Sequence, residues 1–443
     1  VSASRPLGLL SGIGLVVANM VGAGVFLSTG FMAQSLSPGA ILLAWGVGAV
    51  LALCGAVAYA EVARLVPRGG GEYRYLSTLL HPALGYLAGW ASLLVGFSAP
   101  TALDALAAGA FARAVLPSLE PRLVGAALVV GLTAVHAAGL HLSARVQNAL
   151  VGVKVLLLLG FVGVGITAGS LAWPAWAPPA PAADPLGEVV GSLFFIAFAF
   201  SGWNAAVYAA DEFTRPGRDV PRAMVLGCLA VGALYLVVNY LFVANLTPAE
   251  GSVVFRYDAF TSLQGQDAQV TLGQAVMASL LGPTAGRVMS GVMVLLFVSA
   301  MSAMLLVGPR VYAAMAEDGV LPRVLKAKAG APPTAAVLLQ GALALLLLFT
   351  HDLRSVLSNV GAVLVLFAAL TVAGLFVARA RFAAGEGPSR LGLAAATVYL
   401  ASAAWMLVVG FRRNPTLLGW VGAVALLGLG AYLLTTHGKR RPA

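Results

Sequence analysis

Apolar stretches long enough to cross a bilayer recur along this chain from one end to the other, and that recurrence decides its fold class. About 20 helical residues cross a hydrocarbon core of ~30 Å. A segment such as "AILLAWGVGAVLALCGAVAYAEVARL" (40–65) exceeds that length with charges only near one end. The pattern predicts twelve spans, at about 8–33, 38–66, 83–113, 121–140, 143–169, 187–212, 220–247, 284–316, 333–350, 355–379, 390–410 and 415–436. A transmembrane β-barrel would instead show segments of ~10 residues with alternating polarity, and the sequence has none. Only 9% of the 443 residues are charged, too few to clothe a soluble surface of this size. The chain therefore reads as an all-α polytopic membrane protein with one transmembrane domain, 1–436, and a cytoplasmic tail at 437–443.

The net charge of +10 raises the question of a nucleic-acid partner, and the placement of the charge answers it. With the N-terminus inside, most of the 26 Lys and Arg fall in cytoplasmic segments, among them Arg64, Arg68 and Arg74, then Arg215, Arg218 and Arg222, then Arg323, Lys326 and Lys328. This is the positive-inside bias. It predicts both termini in the cytoplasm and a cell (plasma or inner) membrane location, with lipid rather than nucleic acid around the chain. Cys54 and Cys228 both fall within spans, so neither a disulfide nor a metal site is expected. The first span is too long for a cleavable leader. The longest connection, 248–283, lies outside and is expected to form short helices. The Pro-rich "WPAWAPPAPAADP" (173–185) is expected to be extended.

Two spans carry defects at mid-depth. In "ANMVGAGVFL" (18–27) Asn19, Gly22 and Gly24 weaken the first span, since Gly costs about 1 kcal/mol against Ala in a helix interior. The sixth span, "LFFIAFAFSGWNAAVYAADE" (193–212), has Ser201, Gly202, Trp203 and Asn204 at its centre. These weak points sit at the start of two successive five-span units, about 8–169 and 187–379, with two additional helices at 390–436. Five is odd, so the second unit enters the membrane inverted. Paired Gly-interrupted helices in two such halves point to a transporter binding site. If the first span unwinds around Gly22–Gly24, freed amides at the start of its outer half present partial positive charge to a carboxylate. If the sixth unwinds around Ser201–Gly202, freed carbonyls suit an ammonium. A molecule carrying both groups, an amino acid, satisfies both ends. The competing reading is a glycine packing face, which small-residue spacing also produces.

Lys154 lies 11 residues past Ser143, ~16 Å up its helix and near mid-bilayer, with Gln147 two turns earlier on the same face. An ionisable group at that depth is a functional candidate by default. Three roles fit: a permanent ammonium holding the broken first helix as a bound Na⁺ would, a group exchanging a proton in each cycle, or a structural tether. Asp104 in the third span faces with Phe97 and Thr101. It either meets a cationic substrate or a proton, or reaches the outer water through helix tilt. Glu61, Asp211 and Glu212 sit near helix ends, where solvated or salt-bridged roles are the default. No HExxH, P-loop or CxxC occurs, and the five histidines lack metal-site spacing, so an enzyme and a cofactor are not expected. A non-transporting sensor lacks a soluble relay domain, and a channel lacks a ring of like charges.

Four segments resemble the amino acid–polyamine–organocation transporter superfamily. "GAGVF" (22–26) is similar to its first-span signature and "PRGGGEYRYL" (67–76) to the loop after its second span. "FAFSGWNAAVYAADEFTRPGRDVPRAM" (198–224) resembles its sixth span and following turn, and "AEDGVLP" (316–322) the end of its eighth. "SGWNAA" is closest to the L-type exchanger branch. The resemblance implies a 5+5 inverted repeat with broken helices 1 and 6, and a substrate held between spans 1, 3, 6, 8 and 10. It implies that the amides of Gly22, Ala23 and Gly24 hold the carboxylate and that carbonyls near Met20, Phe198 and Ser201 meet the amine. Lys154 matches a fifth-span lysine that stands where other members have a sodium site, and Met304 falls at a pocket-limiting position. The candidate substrate-binding set is thus Asn19, Met20, Gly22, Ala23, Gly24, Val25, Asp104, Phe198, Ser201, Gly202, Trp203, Asn204 and Met304, with Lys154 for coupling. Sodium-independent exchange of small to medium neutral amino acids is the expected activity. Proton-coupled transport of cationic amino acids or polyamines is the alternative that Asp104 raises.

Overall fold

Helices account for nearly all regular structure in a computed structural model that describes residues 7–178, 181–246, 272–328, 331–350, 353–383, 386–413 and 415–437. The first span is two helices, α1 (Leu9–Met20) and α2 (Ala23–Met32), bent by 45° relative to one another. It is followed by α3 (Pro38–Leu65) and a short helix on the Arg-rich face, α4 (Gly71–Leu79). The third span joins α5 (Pro82–Ala91) to α6 (Ala99–Val115) through a π-helical segment, Ser92–Ser98. Next come α7 (Pro121–Ala138) and α8 (Leu140–Ala168).

The second half opens on α9 (Pro185–Ala199), which stops at the Ser201–Asn204 turn and resumes only as the single turn α10 (Ala205–Tyr208). It continues through α11 (Pro216–Ala244), α12 (Leu272–Leu281), α13 (Pro283–Glu317), α14 (Thr334–Thr350) and α15 (Leu353–Arg381). The last two helices are α16 (Arg390–Arg413) and α17 (Pro415–His437). Among the described residues nine helices are long and apolar enough to cross a membrane, and the bent α1–α2 pair makes a tenth. The two remaining apolar helices, Pro185–Ala199 and Thr334–Thr350, are shorter. The first is short because the chain breaks at its end. Most of the 248–283 connection lies outside the described residues; Leu272–Leu281 of it is helical. Residues 173–178 of the Pro-rich loop carry no helix or strand.

Local chemistry sets the starts of these helices. Pro occupies the first turn of α3, α5, α7, α9, α11 and α13, where its missing N–H costs nothing and its φ suits a helix. Glu120 and Asp184 cap α7 and α9, accepting from Leu123 N at 2.7 Å and Gly187 N at 3.0 Å. The π segment belongs to a side-chain feature: Ser98 Oγ donates to Leu93 O, five residues back, at 2.6 Å. Such segments mark functional positions in many helices. This one lies directly before the turn of α6 that carries Thr101 and Asp104.

The α1–α2 break is placed by its neighbours. α1 packs on α11 and α13, while α2 packs on α9. At the Arg-rich face the chain before α1 pairs with the segment after α10: Leu7 N donates to Glu212 O at 3.2 Å and Thr214 N to Leu7 O at 3.0 Å. Arg310 of α13 joins there through a 2.7 Å ion pair with Glu212. Near the same face Asp318, just past α13, accepts from Tyr73 of α4 at 2.7 Å and pairs with Arg74 at 3.4 Å. Burial and the Asp318 carboxylate push the Tyr73 hydroxyl above its ordinary value, which keeps it a donor. Glu61, read as a helix-end acid, pairs with Arg64 at 2.9 Å.

Candidate functional site

Backbone interruption in both broken spans is explicit. Val21 has ψ 93, outside the helical range, so α1 ends at Met20. Gly202 has φ +101, which L side chains rarely adopt. The two breaks also touch. A Cβ on Gly24 would stand 2.5 Å from the Ala199 Cα, and one on Gly202 would stand 2.8 Å from the Asn19 carbonyl carbon. These glycines therefore let the first and sixth spans cross backbone to backbone.

Polar groups from other spans hold the exposed peptide ends. Lys154, with no exposed surface, donates from Nζ to Ala18 O at 3.0 Å and to Val21 O at 2.5 Å. Those are carbonyls at the end of α1, where the helix presents its negative pole. The Tyr235 hydroxyl of α11 donates to Met20 O at 2.7 Å and stands 3.1 Å from Ala199 O, bridging both breaks. Ser28 Oγ of α2 donates to Phe195 O of α9 at 3.2 Å. Trp45 Nε1 donates to Thr29 Oγ1 at 2.7 Å, and Thr29 in turn reaches Asn239.

At the opposite, amide end of the same break stands Asp104. It is 1% exposed, and its two carboxylate oxygens lie 3.6 and 3.7 Å from where a Cβ on Gly22 would be. The reading in which helix tilt carries Asp104 to the outer water does not fit this burial. The third span runs 34 residues, Pro82–Val115, so its midpoint falls near residue 98 and Asp104 stands only ~8 Å beyond it. The break is thus bracketed by a lysine on its carbonyl side and an aspartate on its amide side.

A partly open cavity adjoins the second break. Asn19, Ser201, Gly202, Trp203, Asn204 and Met304 line it. Its wall is largely apolar, the usual make-up of a small-molecule site with a few orienting polar groups. Met20, Val25 and Phe198 are buried beside the breaks but do not line the cavity. Neither do Gly22, Gly24, Asp104 and Lys154. Ala23 opens α2 between the two glycines. Ser201 N donates to Phe198 O at 2.9 Å, so that carbonyl already has one partner. Met304 stands with its sulfur 4.0 Å from Thr101 Oγ1.

Sequence reasoning missed the acid below the second break. Glu72 on α4 is 7% exposed. It accepts from the Tyr59 hydroxyl at 3.1 Å, from the Tyr208 hydroxyl at 2.5 Å and from Asn204 Nδ2. Trp203 stacks edge-on against Tyr59, ring centres 4.6 Å apart. Glu72 is visible in the sequence only as one letter of "PRGGGEYRYL"; nothing local says that α10 closes over it. Glu72→Ala is expected to lower stability by about 2 kcal/mol or more, because the buried Tyr59 and Tyr208 hydroxyls lose their acceptor at ~1–3 kcal/mol each and half-buried Asn204 loses one as well. Thermal unfolding in detergent checks this. An unchanged midpoint would mean that the three donors find other acceptors.

The sequence matches the family model described as "Amino acid permease" over residues 7–429. It is 28% identical to the rat Large neutral amino acids transporter small subunit 2, covering all of this chain and 83% of the relative. It is 25% identical to the human Asc-type amino acid transporter 1, covering all of this chain and 84% of the relative. It is 27% identical to the mouse b(0,+)-type amino acid transporter 1, over 85% of this chain and 77% of the relative.

Proposed function

This chain belongs to the amino acid permease family, and on that premise we propose that it is a sodium-independent transporter exchanging small to medium neutral amino acids by alternating access. The observation that carries the reading is the Lys154 ammonium on the Ala18 and Val21 carbonyls. A fixed cation already neutralises the carbonyl end of the first break, the place where a bound sodium ion would act. The substrate then meets the two remaining poles. Its carboxylate goes to the amides at the start of α2, and its ammonium to the carbonyls around Met20, Phe198 and Ser201. Asn19, Gly202, Trp203 and Asn204 shape the space between.

The way the breaks are held supports alternating access. The first and sixth spans pack on each other through Gly24 and Gly202, so they move as a pair. At the Arg-rich face the Leu7–Thr214 pairing ties the two spans to each other, and Arg310 with Glu212 ties them to α13. We assign this face to the cytoplasm on the positive-inside bias, which supports a multi-pass cell-membrane protein with both termini inside. A substrate drives the exchange only by stabilising one arrangement of these contacts over the other. The similarity to large neutral amino acids and Asc-type amino acid transporters supports the substrate class.

Counterflow into proteoliposomes tests the reading. Vesicles loaded with unlabelled alanine are expected to take up labelled alanine and leucine in sodium-free buffer, with arginine and putrescine poor substrates. Uptake that requires sodium, or that accepts putrescine in preference to alanine, would overturn it.

A further inference from the structure

The side-chain nitrogen of Asn204 is aimed at acceptors. It donates to Glu72 Oε1 and to the Tyr208 hydroxyl oxygen, the latter at 2.9 Å. A hydroxyl carries one proton, and Tyr208 spends its own on Glu72 Oε2 at 2.5 Å. The Tyr59 hydroxyl donates to Glu72 Oε1 at 3.1 Å. Both oxygens of Glu72 therefore accept, as those of an ionised carboxylate do. Turning the Asn204 amide over would set Oδ1 against that carboxylate and against a hydroxyl oxygen whose proton is already given. Two lone-pair contacts would replace two hydrogen bonds, so a single orientation of the amide is fixed.

The acid reaches Asn204 from outside the broken span. Glu72 belongs to α4, which packs on α5 and α15, whereas Asn204 immediately precedes α10. A Cβ on Gly71 would run into the Tyr208 ring, so the start of α4 lies flush against α10. The consequence falls on the other side of the amide. Asn204 is half-buried and lines the cavity beside the second break, as Ser201 and Trp203 do. With the nitrogen turned to Glu72, the oxygen is what the cavity receives. Asn19, the other amide on this wall, directs its own nitrogen to Leu15 O at 2.9 Å. The α10 end of the cavity, Asn204 Oδ1 with the Glu72 charge behind it, is thus an acceptor pole.

We propose that Glu72 is a positioning residue for substrate selection: by locking Asn204 it turns an acceptor to the substrate, so the site prefers a neutral side chain that donates a hydrogen bond, hydroxyl or carboxamide, over an apolar or acidic side chain of the same shape. An amino acid whose ammonium meets the Ser201 carbonyl directs its side chain into the cavity that Ser201 also lines. An apolar group there leaves Oδ1 without a donor, and a carboxylate brings a second negative charge toward Glu72. This rests on the amino acid reading above and adds the side-chain class.

The test is displacement of labelled alanine from purified protein, in sodium-free buffer at pH 7, by two pairs of matched shape: threonine with valine, and asparagine with aspartate. Wild-type protein is expected to prefer threonine to valine by about tenfold, the worth of one hydrogen bond to a group otherwise left unsatisfied. It is expected to prefer asparagine to aspartate by about a hundredfold or more, because like charges repel strongly away from water. In Glu72→Gln the amide at 72 both donates and accepts, Asn204 turns freely, and both preferences are expected to shrink to about threefold or less. Tyr59→Phe removes a donor from Glu72 without touching Asn204 and is expected to keep both ratios, whatever it does to overall affinity. Asn204→Leu leaves Glu72 in place and removes the acceptor; it is expected to lose the threonine preference, and it decides the matter if Glu72→Gln fails to fold. Equal displacement by threonine and valine in the wild type would overturn the proposal. So would wild-type ratios in Glu72→Gln or in Asn204→Leu, or ratios lost equally in Tyr59→Phe. Alanine bound by none of the proteins, the wild type included, would instead refute the amino acid reading on which the proposal stands.

Discussion

Replacing Lys154 with alanine is expected to reduce amino acid uptake into proteoliposomes by tenfold or more. The substitution removes both hydrogen bonds to the Ala18 and Val21 carbonyls and leaves those acceptors without their donor at the depth of the break. Each buried group left unsatisfied costs about 1–3 kcal/mol, and every 1.4 kcal/mol is a factor of ten in an equilibrium. The loss falls on the arrangement that presents α2's amides to substrate, so binding suffers along with stability. Lys154→Met separates charge from packing. It fills nearly the same space in a site with no exposed surface but donates nothing, and it is expected to transport as poorly as the alanine variant. Uptake at the wild-type rate in both variants would make Lys154 a tether with no part in transport.

The second large effect is steric. Gly24→Val is expected to abolish uptake, because its Cβ would stand 2.5 Å from the Ala199 Cα and 2.7 Å from the Ala199 Cβ. The backbone of Ala199 and its helix-fixed methyl cannot step aside, so the first and sixth spans must separate. Separation dissolves the crossing that sets the substrate's two poles opposite one another. Gly14→Ala is the matched control: it lies in α1, and nothing stands within 4 Å of its Cβ position. Alanine there is expected to preserve uptake and to leave unfolding unchanged or slightly higher, since Ala is favoured over Gly in helices by about 1 kcal/mol. Near-normal uptake by Gly24→Val would mean that the close crossing is dispensable.

Those two positions also mark what a reader of the sequence can and cannot see. Apolar length announced the spans, and the observed helices follow the expected segments closely, from Pro38–Leu65 to Pro415–His437. Glycine and small polar residues announced both breaks. What Gly24 and Gly202 do there is a different matter. The sequence suggests freed peptide groups, and the structure adds that neither position has room for a side chain. Such a contact between residues 175 or more positions apart leaves no local trace.

Counting residues along a helix serves differently for Lys154 and for Asp104, both of which are buried. Lys154 lies on an unbroken helix, Leu140–Ala168, where 1.5 Å per residue converts sequence into depth. Asp104 follows a π segment in a 34-residue span, and counting from one end misjudges its level. Glu72, Tyr208 and Tyr235 stayed hidden for another reason. Each is an ordinary residue in its own helix, and its role comes wholly from a partner on a distant one.

The central claim is that two interrupted spans offer opposite poles to one small zwitterion, and competition binding tests it most directly. Labelled alanine is held on purified protein in sodium-free buffer at pH 5, and propionate, which lacks the amine, and ethylamine, which lacks the carboxylate, are added as competitors. Displacement by unlabelled alanine at concentrations at least tenfold below those needed of either single-pole molecule is the expected result. Propionate or ethylamine competing as well as alanine would contradict the account, because one of the two breaks would then contribute nothing to recognition.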